Sequence, residues 1–262
     1  MDIKEIFNPN LLKGKVTIVT GAGRGLGKTL AIALAQAGSD IILIARHQEE
    51  IDRTAWEVRE FGIKAISISA DVRQKDDVLR MVKIGLAEFG KIDVLVNNAG
   101  LNASYVHHRF EDIPEKEWVE MIDTNINGVF LVTQVVGKTM LERRSGKIIN
   151  ISSALAVRAA PERICYSVTK AAVIQLTRAL AAEWAPFGVT VNCIAPGSLD
   201  LYPGSTDENY LRLNEERKKR IPMGRLGRLE EIGPLLVYLA SEASDYMTGE
   251  TIFIDGGLAI GY

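Results

Sequence analysis

Tyr166 and Lys170 stand four residues apart, and on a helix that spacing puts a phenol and an ammonium group on one face. A free phenol titrates near ~10 and is a poor base at neutral pH, so a cation that favours the phenolate turns it into a usable proton carrier. The plainer reading is a packed helix residue beside a solvated lysine. Cys165, next to Tyr166, has no histidine partner in that segment and reads as a buried thiol rather than a nucleophile. A second cluster is Thr20-Gly21-Ala22-Gly23-Arg24-Gly25-Leu26-Gly27, directly after a β-branched run and at the start of a helical pattern. Glycines there let the chain turn sharply and let a pyrophosphate approach the backbone, while the helix N-terminus offers amides and the positive end of its dipole. Leu26 stands where GxGxxG would need its third glycine, so the spacing that fits is TGxxxGxG, through Gly21, Gly25 and Gly27.

The elements that must position these groups are legible as an alternation. Val16 to Thr20, Ile41 to Ala45, Ala65 to Ala70, Asp93 to Asn97, Lys147 to Ile151, Val189 to Ile194 and Thr251 to Ile254 read as strands. Several are continuous apolar runs, the pattern of strands covered on both faces in a parallel sheet. Stretches such as Leu26 to Ala37, with apolar residues at helical spacing and Gly38 as a stop, read as crossover helices. The expectation is one doubly wound α/β domain over residues 1–262 with a seven-stranded parallel sheet. Residues 197–225 break the rhythm with Pro203, Gly204 and a charged helical stretch, Asp207 to Arg220; an excursion of that length reads as a lid.

Composition excludes several classes. The 262 residues carry 31 basic and 33 acidic side chains, a net charge of -2, which offers no general positive field for nucleic acid or an anionic membrane surface. The longest uncharged run, Trp184 to Leu199, is too short and too proline-interrupted for a membrane span. Met1-Asp2-Ile3-Lys4-Glu5-Ile6 lacks the apolar core of an export signal, and a cytoplasmic location is expected. Cys165 and Cys193 show neither disulfide nor zinc spacing, so no metal is expected. The apolar stretches Ala171 to Ala185 and Val129 to Val136 hold more than one buried face needs, which predicts a homo-oligomer.

TGxxxGxG, Asp71-Val72, Asn97-Asn98-Ala99-Gly100, Asn125, Ser153, Tyr166-Ser167-Val168-Thr169-Lys170, Pro196-Gly197 and Ile254-Asp255-Gly256-Gly257 occur in the order of the short-chain dehydrogenase/reductase family, which the chain resembles along nearly its whole length. The resemblance implies a Rossmann-type fold, a tetramer, and hydride transfer between a nicotinamide and a secondary alcohol or ketone. It makes Tyr166 the acid/base and Lys170 its electrostatic partner and ribose ligand. Ser153, thirteen positions before Tyr166, hydrogen-bonds the reacting oxygen; Asn125 supports a relay water. Asp71 caps the adenine beside Val72, Asn97 borders the cofactor cleft, and Asn98, Ala99, Gly100, Pro196 and Gly197 line it.

Where NAD-preferring members carry an acid after the second strand, this chain has Ala45, then Arg46 and His47. With Arg24 at the other basic position of the family's NADP users, NADP is favoured and NAD is the alternative. The flavour is that of the gluconate and deoxygluconate dehydrogenase branch, which implies a small sugar-acid substrate. Two departures stand out: Leu101 to Arg109 replaces the paired basic residues of that branch, and Leu201 stands for the family threonine. His107 and His108 read as surface-loop residues. The rival activities are 3-oxoacyl thioester reduction and a nucleotide-binding regulator without turnover, the latter disfavoured by the intact Asn125, Ser153, Tyr166 and Lys170.

Overall fold

The structure, a computed structural model, describes residues 10–103 and 105–260. Residues Met1 to Ile6, read above for an export signal, and Ser104 in the loop after Gly100 lie outside the described residues. Seven strands form one sheet: β1 Val16–Thr20, β2 Asp40–Ala45, β3 Ala65–Ser69, β4 Val94–Asn97, β5 Gly146–Ile151, β6 Val189–Pro196 and β7 Thr251–Ile254. Every neighbouring pair is parallel, in the order β3-β2-β1-β4-β5-β6-β7. The expected strands are all present, β1 and β7 with the expected bounds and the others with one end displaced by one or two residues.

Successive side chains of a strand face opposite layers, and here both layers are apolar. On one side Ile41, Leu43, Val94 and Val96 pack with α1 (Gly25–Gln36), α2 (Gln48–Arg59) and α8 (Gly233–Ala240). On the other, Ile42, Ile44, Leu95 and Ile148 pack with α3 (Lys75–Phe89), α5 (Gly128–Arg143) and α6 (Ile164–Trp184). The continuous apolar runs follow from that double cover. α4 (Glu115–Ile122) joins α5 through one turn of π-helix, Asp123–Asn127. α7 (Glu208–Lys218) lies within the segment expected as a lid; Asp207 caps it, its Oδ1 accepting from the amides of Asn209 (2.9 Å) and Tyr210 (3.2 Å).

The sheet order reverses direction between β1 and β4, and in doubly wound sheets the crevice beyond the carboxyl ends of those strands is where ligands bind. The loops leaving β1, β4, β5 and β6 carry the motif residues to that edge. No helix among the described residues is long and apolar enough to cross a membrane.

Candidate active site

The phosphate loop is held from two sides. Thr20 Oγ1 accepts from the amides of Asn98 (3.0 Å) and Ala99 (3.1 Å), and Asn98 Nδ2 donates to the carbonyl of Thr20 (2.9 Å), so the loops after β1 and β4 are stitched together. Gly27 is fixed by close approach: a Cβ there would overlap the Gly21 carbonyl. Gly25 opens α1 with φ +53°, and the direction its Cβ would take is open for 4 Å. That is a left-handed backbone facing free space at a helix N-terminus, a cradle suited to a diphosphate. Leu26 is half-buried behind it.

Arg46 is exposed just beyond β2, and its charge helps hold the Asp71 carboxyl below the usual carboxylate range. The larger cause is Arg73, whose guanidinium grips Asp71 through Nε at 3.0 Å and Nη2 at 2.6 Å. The carboxylate expected to cap an adenine is thus already clamped by a residue that the motif reading passed over. Val72 packs under the start of α5, where a Cβ on Gly128 would press against it. Arg24 is mostly exposed, with Glu50 3.8 Å from its Nη1.

Asn97 corrects an expectation. Instead of bordering the cleft it is buried, its Nδ2 donating to Thr133 Oγ1 (2.8 Å) and Asn150 Oδ1 (2.9 Å) in the layer between sheet and helices. The alternation along β4 turns that side chain toward α5.

The four candidate catalytic residues come from β5, the π turn and α6. Ser153, two residues beyond β5, accepts from the Leu155 amide at 3.2 Å, and its hydroxyl is near enough to the Tyr166 phenol to favour the phenolate. Its neighbour Ser152 points elsewhere, donating to the Lys170 carbonyl at 2.7 Å, so the geometry separates two serines that sequence could separate only by register. Burial raises the Tyr166 phenol above its ordinary value, and the Ser153 bond works in the opposite direction. Lys170 is buried; its Nζ donates to the Ile151 carbonyl (2.8 Å) and lies 5.6 Å from the centroid of the Tyr166 ring. Burial lowers its pKa to about 8. The ammonium faces the phenol's ring across that gap and hydrogen-bonds the end of β5.

Asn125 is fully buried in the π turn, a helix irregularity often found at functional sites. Its Oδ1 accepts from the Leu101 amide (2.7 Å) while Nδ2 donates to the Leu101 carbonyl (3.0 Å) and Thr169 Oγ1 (3.2 Å). The side chain therefore locks the loop after β4 to α6. Gly100 completes the convergence: a Cβ there would come within 3.0 Å of Asn125 Oδ1 and 3.7 Å of Lys170 Nζ. Pro196 ends β6, and the Gly197 amide donates to Ile254 (2.9 Å), so the connection that follows leaves from a fixed point. His107 and His108 sit in the loop before α4, paired with Glu162 (3.0 Å) and Glu117 (3.1 Å). Cys165 and Cys193 are both buried.

A family model for enoyl-(acyl carrier protein) reductases matches residues 21–259. The chain belongs to the short-chain dehydrogenase/reductase family. It is an oxidoreductase of that family, and it is 40% identical to a 2-dehydro-3-deoxy-D-gluconate 5-dehydrogenase of Bacillus subtilis, over 94% of this chain and 95% of the relative. It is 38% identical to the 3-oxoacyl-[acyl-carrier-protein] reductase FabG of Staphylococcus aureus, over 93% and 98%. Among solved structures, a gluconate 5-dehydrogenase from Burkholderia cenocepacia in complex with NADP and tartrate superposes with a TM-score of 0.89 at 35% identity, covering 97% of this chain and 99% of that one. The short-chain dehydrogenase/reductase fold accounts for the stitched loops and for the residues gathered at the carboxyl ends of β1, β4, β5 and β6.

Proposed function

We propose that this enzyme interconverts a secondary alcohol and a ketone on a small hydroxylated acid of the sugar-acid type, with NADP as its nucleotide. The observation that carries the reading is the convergence of the Ser153–Tyr166 hydroxyl pair, Lys170 Nζ and Gly100 at the switch-point edge of the sheet. When bound, the nicotinamide supplies or accepts the hydride. Ser153 and Tyr166 hold the substrate oxygen, and Tyr166 Oη gives or takes its proton. Lys170 favours the phenolate electrostatically and is the residue placed to hold a ribose. Asn125 keeps the floor of the site in register, and the glycine cradle at Gly21, Gly25 and Gly27 would take the diphosphate. Arg46 and Arg24 would pair with a 2′-phosphate, where the family's NAD users have an acid that repels it.

The relatives support the substrate class: the Bacillus subtilis and Burkholderia cenocepacia proteins act on gluconate-type acids by name. The Staphylococcus aureus likeness favours a second reading, reduction of 3-oxoacyl thioesters. NADPH oxidation across keto sugar acids, polyol-derived ketones and 3-oxoacyl thioesters decides between them. The highest kcat/KM on a thioester overturns the first reading.

The same proposal includes a homotetramer acting in the cytosol. Phe130 on α5 and Val168 on α6 are 48% and 44% exposed, with Leu176 and Leu180 half-buried beside them, which supports a shared helical interface. Two free, buried thiols fit a reducing compartment. Light scattering that finds a monomer at micromolar concentration overturns the assembly.

A further inference from the structure

Four side chains from three segments touch in a row that runs from the end of β3 to the loop after Gly100. Both carboxylate oxygens of Asp71 are held by Arg73: Oδ1 accepts from the Arg73 amide and Nε (each 3.0 Å), and Oδ2 from Nε (3.0 Å) and Nη2 (2.6 Å). The remaining guanidinium nitrogen, Nη1, lies 3.9 Å from Oε1 of Glu120 on α4. The other oxygen of Glu120 accepts from the hydroxyl of Tyr105, in the loop after Gly100. The bonds to Asp71 are the main cause that raises the Arg73 pKa, and the charges of Asp71, Glu120 and Asp123 add to it. The Tyr105 phenol is raised chiefly by its bond to Glu120, so it remains a donor at neutral pH.

The same loop is tied to α4 a second time: His108 Nε2 lies 3.1 Å from Oε2 of Glu117, three residues before Glu120 on the helix. Between the two ties Val106 is buried with Met121 and Cys165, and Tyr166 packs against that group. A shift of the loop is therefore felt beside the Tyr166 ring. The links of the row differ in strength. The two-point grip of Arg73 on Asp71 is short and charge-assisted, whereas the contact with Glu120 is at the outer reach of an ion pair and is worth little by itself. A weak link between two firm ones is the place where a ligand can shift the balance.

We propose that Asp71, Arg73, Glu120 and Tyr105 act as one chain, through which an adenosine bound at Asp71 steadies the loop after Gly100. Arg73, Glu120 and Tyr105 are positioning residues: they reach the adenosine through Asp71 and the reacting centre through the loop. This rests on the reading of Asp71 as the adenine cap, and it gives that carboxylate a second task. An amino group donating to Asp71 restricts the carboxylate, the fork of Arg73 follows the carboxylate, and Nη1 is held toward Glu120. By linkage, whatever orders the loop from the substrate side tightens the adenosine in return.

The test uses the full-length enzyme and adenosine 2′,5′-bisphosphate, which carries the adenine without the nicotinamide, so no turnover is involved. Affinity is read by calorimetry, and the loop by amide hydrogen exchange of residues 105–109 with and without saturating ligand. In wild type the ligand should slow that exchange a few fold. Asp71→Asn should weaken binding about tenfold, the usual size of a lost charge-assisted bond. Glu120→Gln should weaken it only about 2- to 5-fold and abolish the protection of the loop; Tyr105→Phe should abolish the protection as well. Adding Glu120→Gln to Arg73→Gln should cost no further affinity, because the chain is already cut. His108→Gln loosens the loop through its other tie, so it should raise the exchange rate while the ligand still slows it. Protection that survives in both Glu120→Gln and Tyr105→Phe, or a saturated wild type that shows none, overturns the chain and leaves Asp71 as the adenine cap. An Asp71→Asn protein that binds the bisphosphate like wild type overturns the adenine reading itself.

Discussion

Two connections leave the carboxyl edge of the sheet, and they are built in opposite ways. The one after β1 needs only four residues, Gly21 to Arg24, to reach α1; hydrogen bonds from Thr20 and Asn98 fix it to its neighbour, and Gly27 allows no side chain. The one after β6 runs from Gly197 to Arg225, and only Asn214 and Ile221 within it are buried. Up to Arg220 its side-chain contacts are mostly polar and local: Tyr210 Oη donates to Asp200 (2.6 Å), and Lys218 and Lys219 pair with Glu215 and Glu216 at the end of α7, while Ile221 anchors the far end against Ala154 and Leu258. Exposed pairs of that kind contribute little to stability. The connection proposed to hold the nucleotide is thus set by packing, and the one proposed as a lid is left to be ordered by small energies.

The sharpest way to break that contrast is to disable chemistry without touching the rigid side. Tyr166→Phe keeps the ring and deletes the oxygen proposed to exchange the substrate proton. Turnover should fall about 10² to 10⁴ fold, with melting temperature and NADPH affinity preserved. A folded variant within a few fold of wild type removes Tyr166 from the mechanism.

Lys170 gives the next largest effect, in stability. Its pKa is lowered by burial to about 8 in the folded protein, from an ordinary value of 10.5. Between those pH values the unfolded chain holds more protons than the folded one, so stability rises with pH across that window, and the cost of burying the charge is fully present below it. Relative to Lys170→Met, wild type should gain up to about 3 kcal/mol between pH 7 and pH 10.5 in chemical denaturation, and the variant should bind NADPH more weakly. Parallel stability curves would show that the lysine is not desolvated as described.

Arg46→Asp exchanges the proposed phosphate partner for a repelling charge at the edge of the rigid side. NADP binding should weaken by about a factor of ten or more and NAD binding should change little, measured by titration of each nucleotide. A wild type that binds NAD at least as well as NADP defeats the assignment. The smallest expected effect concerns the proposed lid directly. Limited proteolysis should cut first within residues 197–225, and saturating NADPH should slow that cleavage a few fold. Equal rates with and without nucleotide would mean that the segment does not act as a lid.

The same contrast explains what the sequence discloses. Strand and helix alternation, the glycine loop and the Tyr166–Lys170 spacing are local patterns, each imposed by neighbours a few residues away, so they can be read without coordinates. Ser153 over Ser152 is a matter of register in the sequence, and the structure separates them by their partners: Ser152 donates to the Lys170 carbonyl, whereas Ser153 lies toward the Tyr166 phenol. The clamp of Arg73 on Asp71 was two residues from a residue already singled out, but a motif names positions and not their partners. Asn97 was misplaced because the pleat, rather than the motif, decides which way it faces.

The π turn at Asp123–Asn127 has a consequence for how this enzyme tolerates change in chain length. From Glu115 to Arg143 the backbone is one helical rod whose two halves serve different masters: Met121 in the first half packs with Val106 and Cys165, in the loop after Gly100 and on α6, and Val132, Val136 and Met140 in the second pack under the sheet. In such a rod each residue is also a rotation of roughly 100°. The extra residue in the π turn is the phase offset that lets both halves face their own neighbours at once. Removing a single residue there would leave a smoother helix with its first half turned to the wrong compass bearing, so in this stretch the count of residues sets an angle.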